Sequence, residues 1–383
     1  MTKPTIELAD VVRRFLGAYQ EQFGDRMLPS HHRALQDITQ CMTEAMGGGR
    51  YHCHDCDETF WCYHGCRNRS CPKCHGLQIS KWLKSRSAEV LSCRYFHIIA
   101  TVPSELRSLF LRHQKTLYGL FMKTAAESVR DLAAQKRFVG AQVGILAVLH
   151  TWTGQLHPHP HVHMLVTGGG VTADGTAWHD APKKFLVPVQ KLSRMIAKRF
   201  AEALQKGHPE LFEQIPDTLW RRAWCSYSKP YGTGKDAVLR YLARYVFRVA
   251  ITNHRLVSMD ESHVTFRYKD RDTDQWKIER LEGIQFLRRF LLHVLPKGFH
   301  KVRYYALWHP CKRDRQARAR LLLELTTTPA TDSAAVLMAD MLDEALEQNV
   351  RASQDHGVKC PTCGSMNVCQ IDTIRRRHPR LVK

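Results

Sequence analysis

The chain has 383 residues, 44% of them hydrophobic, which suits two or three globular domains and excludes a disordered polymer. Lys and Arg number 57 against 36 Asp and Glu, and the formal net charge of +21 is spread along the chain. This charge favours a polyanionic partner. Because no amphipathic anchor or lipidation signal is visible, nucleic acid is favoured over a membrane surface.

In chain order, the patterns of apolar and turn residues predict an α+β protein. Helical periodicity in residues 1–50 is expected to end at Gly47-Gly48-Gly49, and a basic helix is expected after Cys74. The predicted strands are 94–102, 142–151, 161–167, 263–269 and 276–281, the last two forming a hairpin. The predicted helices are 104–135 (one or two helices, opened by a Ser N-cap), 188–206, 235–250, 283–293, 312–326 and 333–350.

These elements divide into three predicted regions. Residues 1–90 form a helical and zinc-binding N-terminal domain, and residues 91–305 form the central domain. Residues 306–383 form a helical C-terminal region with a Cys knuckle and a basic tail. The apolar runs are too short to cross a bilayer and no signal peptide is recognisable, so a cytoplasmic protein is expected.

Most of the 13 cysteines stand in short paired spacings, which in a reducing compartment indicate metal ligation rather than disulfides. Cys53-x2-Cys56 and Cys71-x2-Cys74 are predicted to complete one tetrahedral zinc site. Cys66 is a further candidate ligand, and nearby Cys and His residues leave room for a second ion. At the other end, Cys360-x2-Cys363 with Cys369 is an incomplete set that needs another ligand, such as His356.

Zinc here has a purely structural interpretation, in which it staples a segment too small to bury its own core. The same loop carries Arg67, Arg69 and Lys73, which could meet DNA phosphates. We favour the interpretation in which the module also contacts DNA.

A histidine-rich segment leads into the third predicted strand. His161 and His163 alternate with Val162, so both imidazoles share one face and can chelate a divalent ion such as Mg²⁺ or Mn²⁺. The strand is expected to begin after Pro158 and Pro160, to end at Gly168-Gly169-Gly170 and to pair antiparallel with the strand before it. A surface loop that binds metal adventitiously is the alternative.

Tyr241 and Tyr245 are four residues apart in a predicted helix and so share one face. Arg240, Arg244 and Arg248 repeat that spacing beside them. Two phenols flanked by guanidinium groups suit nucleophilic attack on a phosphodiester. Taken alone, this helix is explained better as an ordinary amphipathic helix with half-buried tyrosines and solvent-facing arginines.

In combination and in this order, the Cys-rich module, the segment His159-Pro160-His161-Val162-His163 and the tyrosine helix resemble one family. It is the ninety-one family of rolling-circle insertion-sequence transposases, within the His-hydrophobic-His (HUH) endonucleases. The segments CRNRSCPKC (66–74), YLARYVFRVAI (241–251) and GFHKVRYYALW (298–308) strengthen the resemblance, which covers residues 25–325.

The resemblance implies an antiparallel-sheet HUH domain with helices packed on it. It further implies that His161 and His163 hold a divalent cation while Tyr241 and Tyr245 cleave single-stranded DNA, leaving a 5′-phosphotyrosine and a free 3′-OH. A third metal ligand is usual in such enzymes, and His159 is the candidate. The expected partners are the ends of the mobile element and its target, in a bacterial, nucleoid-associated setting.

Two other functions fit part of the sequence. A plasmid replication initiator or relaxase would use the same chemistry, and a zinc-containing DNA-binding regulator would need only the charge and the cysteines. The regulator leaves the histidine strand and the tyrosine pair unexplained.

Overall fold

The computed structural model describes residues 6–74, 90–270, 272–326 and 358–376. The strands are β1 Gly48–Cys53, β2 Thr59–Tyr63, β3 Arg94–Thr101, β4 Gln142–Trp152, β5 Pro158–Val171, β6 Trp178–Asp180, β7 Ser226–Thr233, β8 Leu256–Met259, β9 His263–Lys269, β10 Trp276–Glu282, β11 Val302–Ala306 and β12 Val368–Ile374. The α-helices are α1 Leu8–Phe23, α2 Pro29–Gln40, α3 Arg107–Arg112, α4 Gln114–Ala133, α5 Val189–Gly207, α6 Pro209–Phe212, α7 Thr218–Arg221, α8 Gly234–Tyr241, α9 Gly283–Leu291 and α10 Arg313–Thr326.

A six-stranded antiparallel sheet forms the centre of the protein, in the order β11-β4-β5-β3-β7 with β6 beside β5. The predicted α+β class and the antiparallel pairing of β4 with β5 are confirmed. The hairpin β9–β10 is confirmed as well, and with β8 it forms a separate three-stranded sheet. The expected basic helix after Cys74 and the helix at 333–350 fall outside the described residues.

Alternate side chains of β5 face opposite sides of the central sheet and enter different cores. Val162, Met164 and Val166 pack with α4 and α5 in the largest core. On the other face, Leu165 packs with Tyr241 and Tyr245. The sheet therefore separates an apolar support layer from the face that carries His161 and His163.

β5 is longer than the sequence predicted, because neither its prolines nor its glycines end it. The carbonyl of Pro160 accepts a hydrogen bond from the N–H of Val102, the first residue after β3. The nitrogen of Pro160, which has no hydrogen to donate, therefore faces the end of β3, where no ladder hydrogen bond is lost. Gly168, Gly169 and Gly170 lie within the strand. A Cβ on Gly170 would lie 2.5 Å from the Gln142 carbonyl oxygen, so glycine permits a close backbone approach here.

Two further helical predictions need correction. Ser104 begins a short 3-10 turn instead of capping an α-helix. The predicted helix 235–250 is α-helical only as far as Tyr241 and continues as a π-helical turn, Leu242–Val246.

The N-terminal helices share a core with distant parts of the chain. Phe15 of α1 and Leu35 of α2 are buried in one cluster with Phe266 of β9 and Phe286 of α9. The C-terminal strand also returns to the N-terminal region, where β12, β1 and β2 form a three-stranded sheet. The three-region division of the sequence stays a prediction, and these contacts cross its boundaries.

Candidate active site and metal centres

Three buried histidines converge on one face of the central sheet. His161 and His163 alternate on β5, and His150 of β4 lies directly opposite His161 in the antiparallel register. Their candidate ligand atoms lie within 4.8 Å of one another. Imidazole nitrogens at this separation can bind a single divalent ion.

The hydrogen bonds of two of these histidines fix which nitrogen of the ring carries a proton. His161 Nδ1 lies 2.6 Å from the His159 carbonyl oxygen, and His150 Nε2 lies 2.8 Å from the Tyr245 carbonyl oxygen. Because a carbonyl only accepts, each of these nitrogens carries a proton, and a neutral ring would present its opposite nitrogen to a metal ion. Burial also lowers the pKa of His150 and His163 well below the ordinary value, so both rings are neutral near pH 7.

His159, the predicted third ligand, is not part of this group, and His150 is the third candidate that the structure brings to His161 and His163. The Nδ1 of His159 instead lies 3.0 Å from Nη2 of Arg107, a group that only donates. His150 is not recognisable as a ligand from the sequence, because it lies near the end of an otherwise apolar strand. Its signal was that it is the one imidazole in β4.

His97 of β3 contacts His163 on the side of β5 away from β4, and the sequence did not predict it. Its Nε2 lies 2.9 Å from Nδ1 of His163, which leaves Nε2 of His163 for a metal. Burial lowers the pKa of His97 to about 3, so this ring is neutral too. Such outer partners orient ligand rings and raise their basicity.

Tyr245 and Tyr241 both reach the histidines, but they are not equivalent. The rings of Tyr245 and His163 have centroids 4.3 Å apart, and Tyr245 lines the same cleft as His150, His161 and His163. Tyr241 stacks behind it, 4.8 Å from the Tyr245 ring, and is 0% exposed. Its hydroxyl has no hydrogen-bond partner among the described residues.

The pKa values of the two tyrosines reflect their different burial. Burial raises the pKa of Tyr241 well above its ordinary value. Burial also raises the pKa of Tyr245, while the positive charges of Arg244 and Arg248 act in the opposite direction. Of the two phenols, Tyr245 has the environment that better tolerates loss of a proton.

The π-helical turn decides how the two tyrosines are presented. π-turns widen the helical repeat and are common at functional sites. Here the turn begins directly after Tyr241 and contains Tyr245, whose carbonyl accepts a hydrogen bond from His150. The nucleophile candidate and a metal-ligand candidate are thereby joined through the backbone.

The cleft beside these residues has a volume of about 960 Å³ and is rich in cations. Arg244 and Arg248 line it and are exposed, as their predicted role requires. Arg107 and Arg255 line it as well. The side chain of Arg240 lies outside what the structure describes, so its DNA contact stays a prediction.

A cluster of four buried thiols holds the Cys-rich loop against α2. The group consists of Cys41, Cys66, Cys71 and Cys74. The Sγ atoms of Cys66 and Cys74 are 3.6 Å apart, and backbone N–H groups point at the Cys66 and Cys71 sulfurs from 3.4 Å. This donor set fits a tetrahedral structural zinc ion.

The predicted pairing of the cysteines is wrong. Cys71 and Cys74 meet Cys41 and Cys66, while Cys53 and Cys56 meet Cys360 and Cys363. Spacing identified the Cys-x2-Cys pairs but not Cys41, and it could not tell which pairs share an ion. Neither Cys41, which lies alone at the end of α2, nor the distant C-terminal pair gives a local signal for its group.

Two of the three basic residues predicted on this loop already have intramolecular partners. Lys73 forms a salt bridge with Glu7 at 2.8 Å, and the Arg69 guanidinium donates to the Phe299 carbonyl. Arg67 is exposed, with a left-handed backbone. DNA contact by all three residues stays a prediction. Of the three, Arg67 is the best candidate because its side chain is exposed to solvent.

Comparison with known proteins decides the family. A family model described as "Putative transposase" matches residues 144–316, and one described as "Transposase zinc-binding domain" matches residues 11–102. A protein described as "Putative transposase" from Sinorhizobium fredii is 35% identical over 391 residues, covering 97% of this chain and 96% of the relative. The chain belongs to the ninety-one family of insertion-sequence transposases.

A second relative agrees with this transposase assignment. The transposase for insertion sequence element IS801 from Pseudomonas savastanoi pv. phaseolicola is 28% identical over 290 residues, covering 69% of this chain and 67% of the relative. No solved structure matches the chain. The predicted zinc-binding module is confirmed. The region matched by the zinc-binding model contains the thiol cluster around Cys41, and the region matched by the transposase model contains His150, His161, His163 and both tyrosines.

A helix that spans a membrane needs sufficient length and apolarity. Among the described residues, every helix is too short or too polar to span a bilayer.

Proposed function

We propose that this transposase cleaves and rejoins single-stranded DNA by the HUH mechanism, with Tyr245 as the nucleophile of the first step. The observation that carries the proposal is the contact between Tyr245 and His163, 4.3 Å between ring centroids, inside a cation-lined cleft. A phenol placed against a divalent-metal site is the arrangement that tyrosine-mediated phosphodiester cleavage requires.

The first step exchanges one phosphodiester for another. The Tyr245 oxygen bonds to the scissile phosphorus, the bond from phosphorus to the 3′ oxygen breaks, and the phenolic proton is lost while the 3′ oxygen gains one. The products are a 5′-phosphotyrosine and a free 3′-OH. Since the new ester keeps the energy of the old one, attack by a 3′-OH rejoins DNA without ATP.

Mg²⁺ or Mn²⁺ held by His150, His161 and His163 would polarise the phosphate and stabilise the charge that develops on it. Three imidazole ligands favour Mn²⁺ over Mg²⁺, because Mg²⁺ prefers oxygen ligands. The site's own residues orient the reacting groups. His97 fixes the ring of His163, and the Tyr245 carbonyl fixes the ring of His150.

Arg244 and Arg248 supply the positive field for the phosphate and for the phenolate. Both are exposed in the cleft, and each lowers the pKa of Tyr245 against the effect of burial. Trp152 and Trp276 also line the cleft and offer faces on which unpaired bases can stack. These features suit a single strand better than a rigid duplex.

Labelled single-stranded oligonucleotides spanning the element ends test this proposal. The protein is incubated with them and Mn²⁺, Mg²⁺ or chelator, and covalent products are separated by denaturing electrophoresis. We expect a metal-dependent adduct that disappears in the Tyr241→Phe/Tyr245→Phe double variant, while DNA binding remains.

Other results would point elsewhere. Tight binding without any adduct on cognate strands would support a transposase that uses a different chemistry, or a protein that acts only as a zinc-containing DNA binder. Loss of DNA binding in the double variant would remove the assigned roles of the tyrosines.

A further inference from the structure

The two ends of the chain meet in a second four-thiol cluster, separate from the cluster around Cys41. It brings Cys53 and Cys56, at the end of β1, against Cys360 and Cys363, just before β12. The matched zinc-binding family model ends at residue 102, so it does not contain the C-terminal pair.

The distances fit a metal ion and not disulfides. Sγ of Cys53 is 3.6 Å from Sγ of Cys363, and Sγ of Cys56 is 3.5 Å from Sγ of Cys360. Zinc–sulfur bonds of about 2.3 Å in a tetrahedron place neighbouring sulfurs about 3.8 Å apart, whereas a disulfide needs about 2.05 Å. All four cysteines are free thiols.

The two Cys-x2-Cys segments have the same local structure although they come from opposite ends of the sequence. In the first, the N–H of Asp57 donates to the Cys53 carbonyl, and the N–H of Cys53 donates to the Glu58 carbonyl. In the second, Gly364 donates to Cys360, and Cys360 donates to Ser365. Asp57 and Gly364, each directly after the second cysteine, both have positive φ, 61° and 74°.

This repeated turn has a clear chemical consequence. It folds each segment so that both of its sulfurs point the same way, and the two turns face each other as the halves of one tetrahedral site. Four thiolates in this arrangement select zinc, or iron as the alternative, over harder ions.

Hydrogen bonds beside the thiols also join the two Cys-x2-Cys segments. Asp55 accepts from Asn367 Nδ2 at 2.7 Å and from Ser365 Oγ at 2.5 Å. Beyond them β12 pairs antiparallel with β1, with Cys53 opposite Val368.

We propose that Cys53, Cys56, Cys360 and Cys363 bind a second structural zinc ion that fastens the C-terminal segment to the N-terminal module. The ion joins residues 304 positions apart in sequence, Cys56 and Cys360. It fixes β12 at the edge of β1, and the basic sequence that begins at Arg375 therefore starts beside the zinc module, where Arg376 lies 3.6 Å from Asp37. This role does not depend on the chemistry of DNA cleavage.

Metal analysis of the full-length protein, purified with zinc and reductant, tests the proposal. We expect the Cys360→Ser/Cys363→Ser variant to hold one zinc ion fewer per chain than the wild type, because the other thiol cluster and the histidine group are unchanged in it. The matched control is Cys62→Ser/Cys369→Ser, which changes two thiols of the same small sheet outside the metal groups and keeps both ions. An equal zinc content in the wild type and the Cys360→Ser/Cys363→Ser variant, a single zinc in the wild type, or iron in place of the second structural zinc would overturn the assignment.

Alkylation of the wild-type protein provides a second test that does not depend on a variant folding. Cys56 and Cys363 are exposed thiols, as is Cys62, which belongs to none of the metal groups. With zinc and a phosphine reductant present, iodoacetamide should modify Cys62 rapidly while sparing Cys56 and Cys363 until a chelator is added. Equal modification of all three before chelation would refute the second zinc site.

Discussion

His150 donates from Nε2 to the carbonyl oxygen of Tyr245 across 2.8 Å, which links a metal-ligand candidate directly to the backbone of the candidate nucleophile. The bond sets the free nitrogen of His150 towards His161 and His163, and it sets the Tyr245 ring against the same group. The position of the phenol and the geometry of the metal site are therefore coupled.

The two tyrosines should differ in the first cleavage step. Tyr245→Phe should abolish the initial adduct, a loss of at least about 100-fold, because Tyr245 is the phenol in the cleft. Tyr241→Phe should keep that adduct and lose only later strand transfer, since the Tyr241 ring is sealed behind Tyr245. Single-turnover adduct formation measures both, and a first adduct carried by Tyr241 would reverse the assignment.

Metal binding should depend on His150 and not on His159. His150→Ala removes one of three converging nitrogens and should weaken Mn²⁺ binding at least about tenfold. His159→Ala is the matched control, because it deletes a neighbouring imidazole whose Nδ1 faces Arg107. Titration of adduct formation against Mn²⁺ compares them, and a larger defect in His159→Ala would restore His159 as the third ligand.

The arginines should divide into DNA-contacting and structural groups. Arg244→Gln should weaken oligonucleotide binding and reduce the slope of log affinity against log salt by about 0.7, as expected for the loss of one contact to a single strand. Arg69→Gln should leave the slope unchanged and lower the thermal midpoint, because the Arg69 guanidinium bonds the Phe299 carbonyl. A reduced slope in Arg69→Gln would show that this residue contacts phosphate.

Gly170 should tolerate no side chain. In Gly170→Ala the new Cβ would lie 2.5 Å from the Gln142 carbonyl oxygen, so the free energy of unfolding should fall by about 1–3 kcal/mol or more. Gly207→Ala, where nothing lies within 4 Å, is the control and should change stability by less than about 0.5 kcal/mol. Urea unfolding measures both, and equal effects would contradict the close approach of β4 and β5.

Acid should destabilise the protein through His293. Burial lowers the pKa of His293 to about 4 from its ordinary value of 6.5, so the unfolded chain takes up a proton there more readily than the folded chain. Its contribution to stability is complete above about pH 6.5 and is lost as the pH falls towards 4. His293→Gln, which can still donate to the Leu156 carbonyl, should lose less stability between pH 7 and 5 in urea unfolding than the wild type; an identical loss would exclude His293 as a source.

Some features of this protein follow from the sequence alone, because they depend on local pattern. The alternation of His161 and His163 with apolar residues placed both imidazoles on one face of a strand, and the spacing of Tyr241 and Tyr245 placed both phenols near each other. The Cys-x2-Cys spacing identified zinc-binding segments, and the order of these motifs identified the transposase family.

The tertiary structure alone decided which distant groups meet. His150 joins His161 only because β4 and β5 pair in one particular register, and Cys53 joins Cys363 only because β12 returns to β1. Tyr245 ranks above Tyr241 because it lines the cleft while Tyr241 is fully buried, a difference that helical periodicity does not encode. Local pattern fixes which chemical groups a segment presents, whereas partners separated by tens or hundreds of residues are selected by strand pairing and burial.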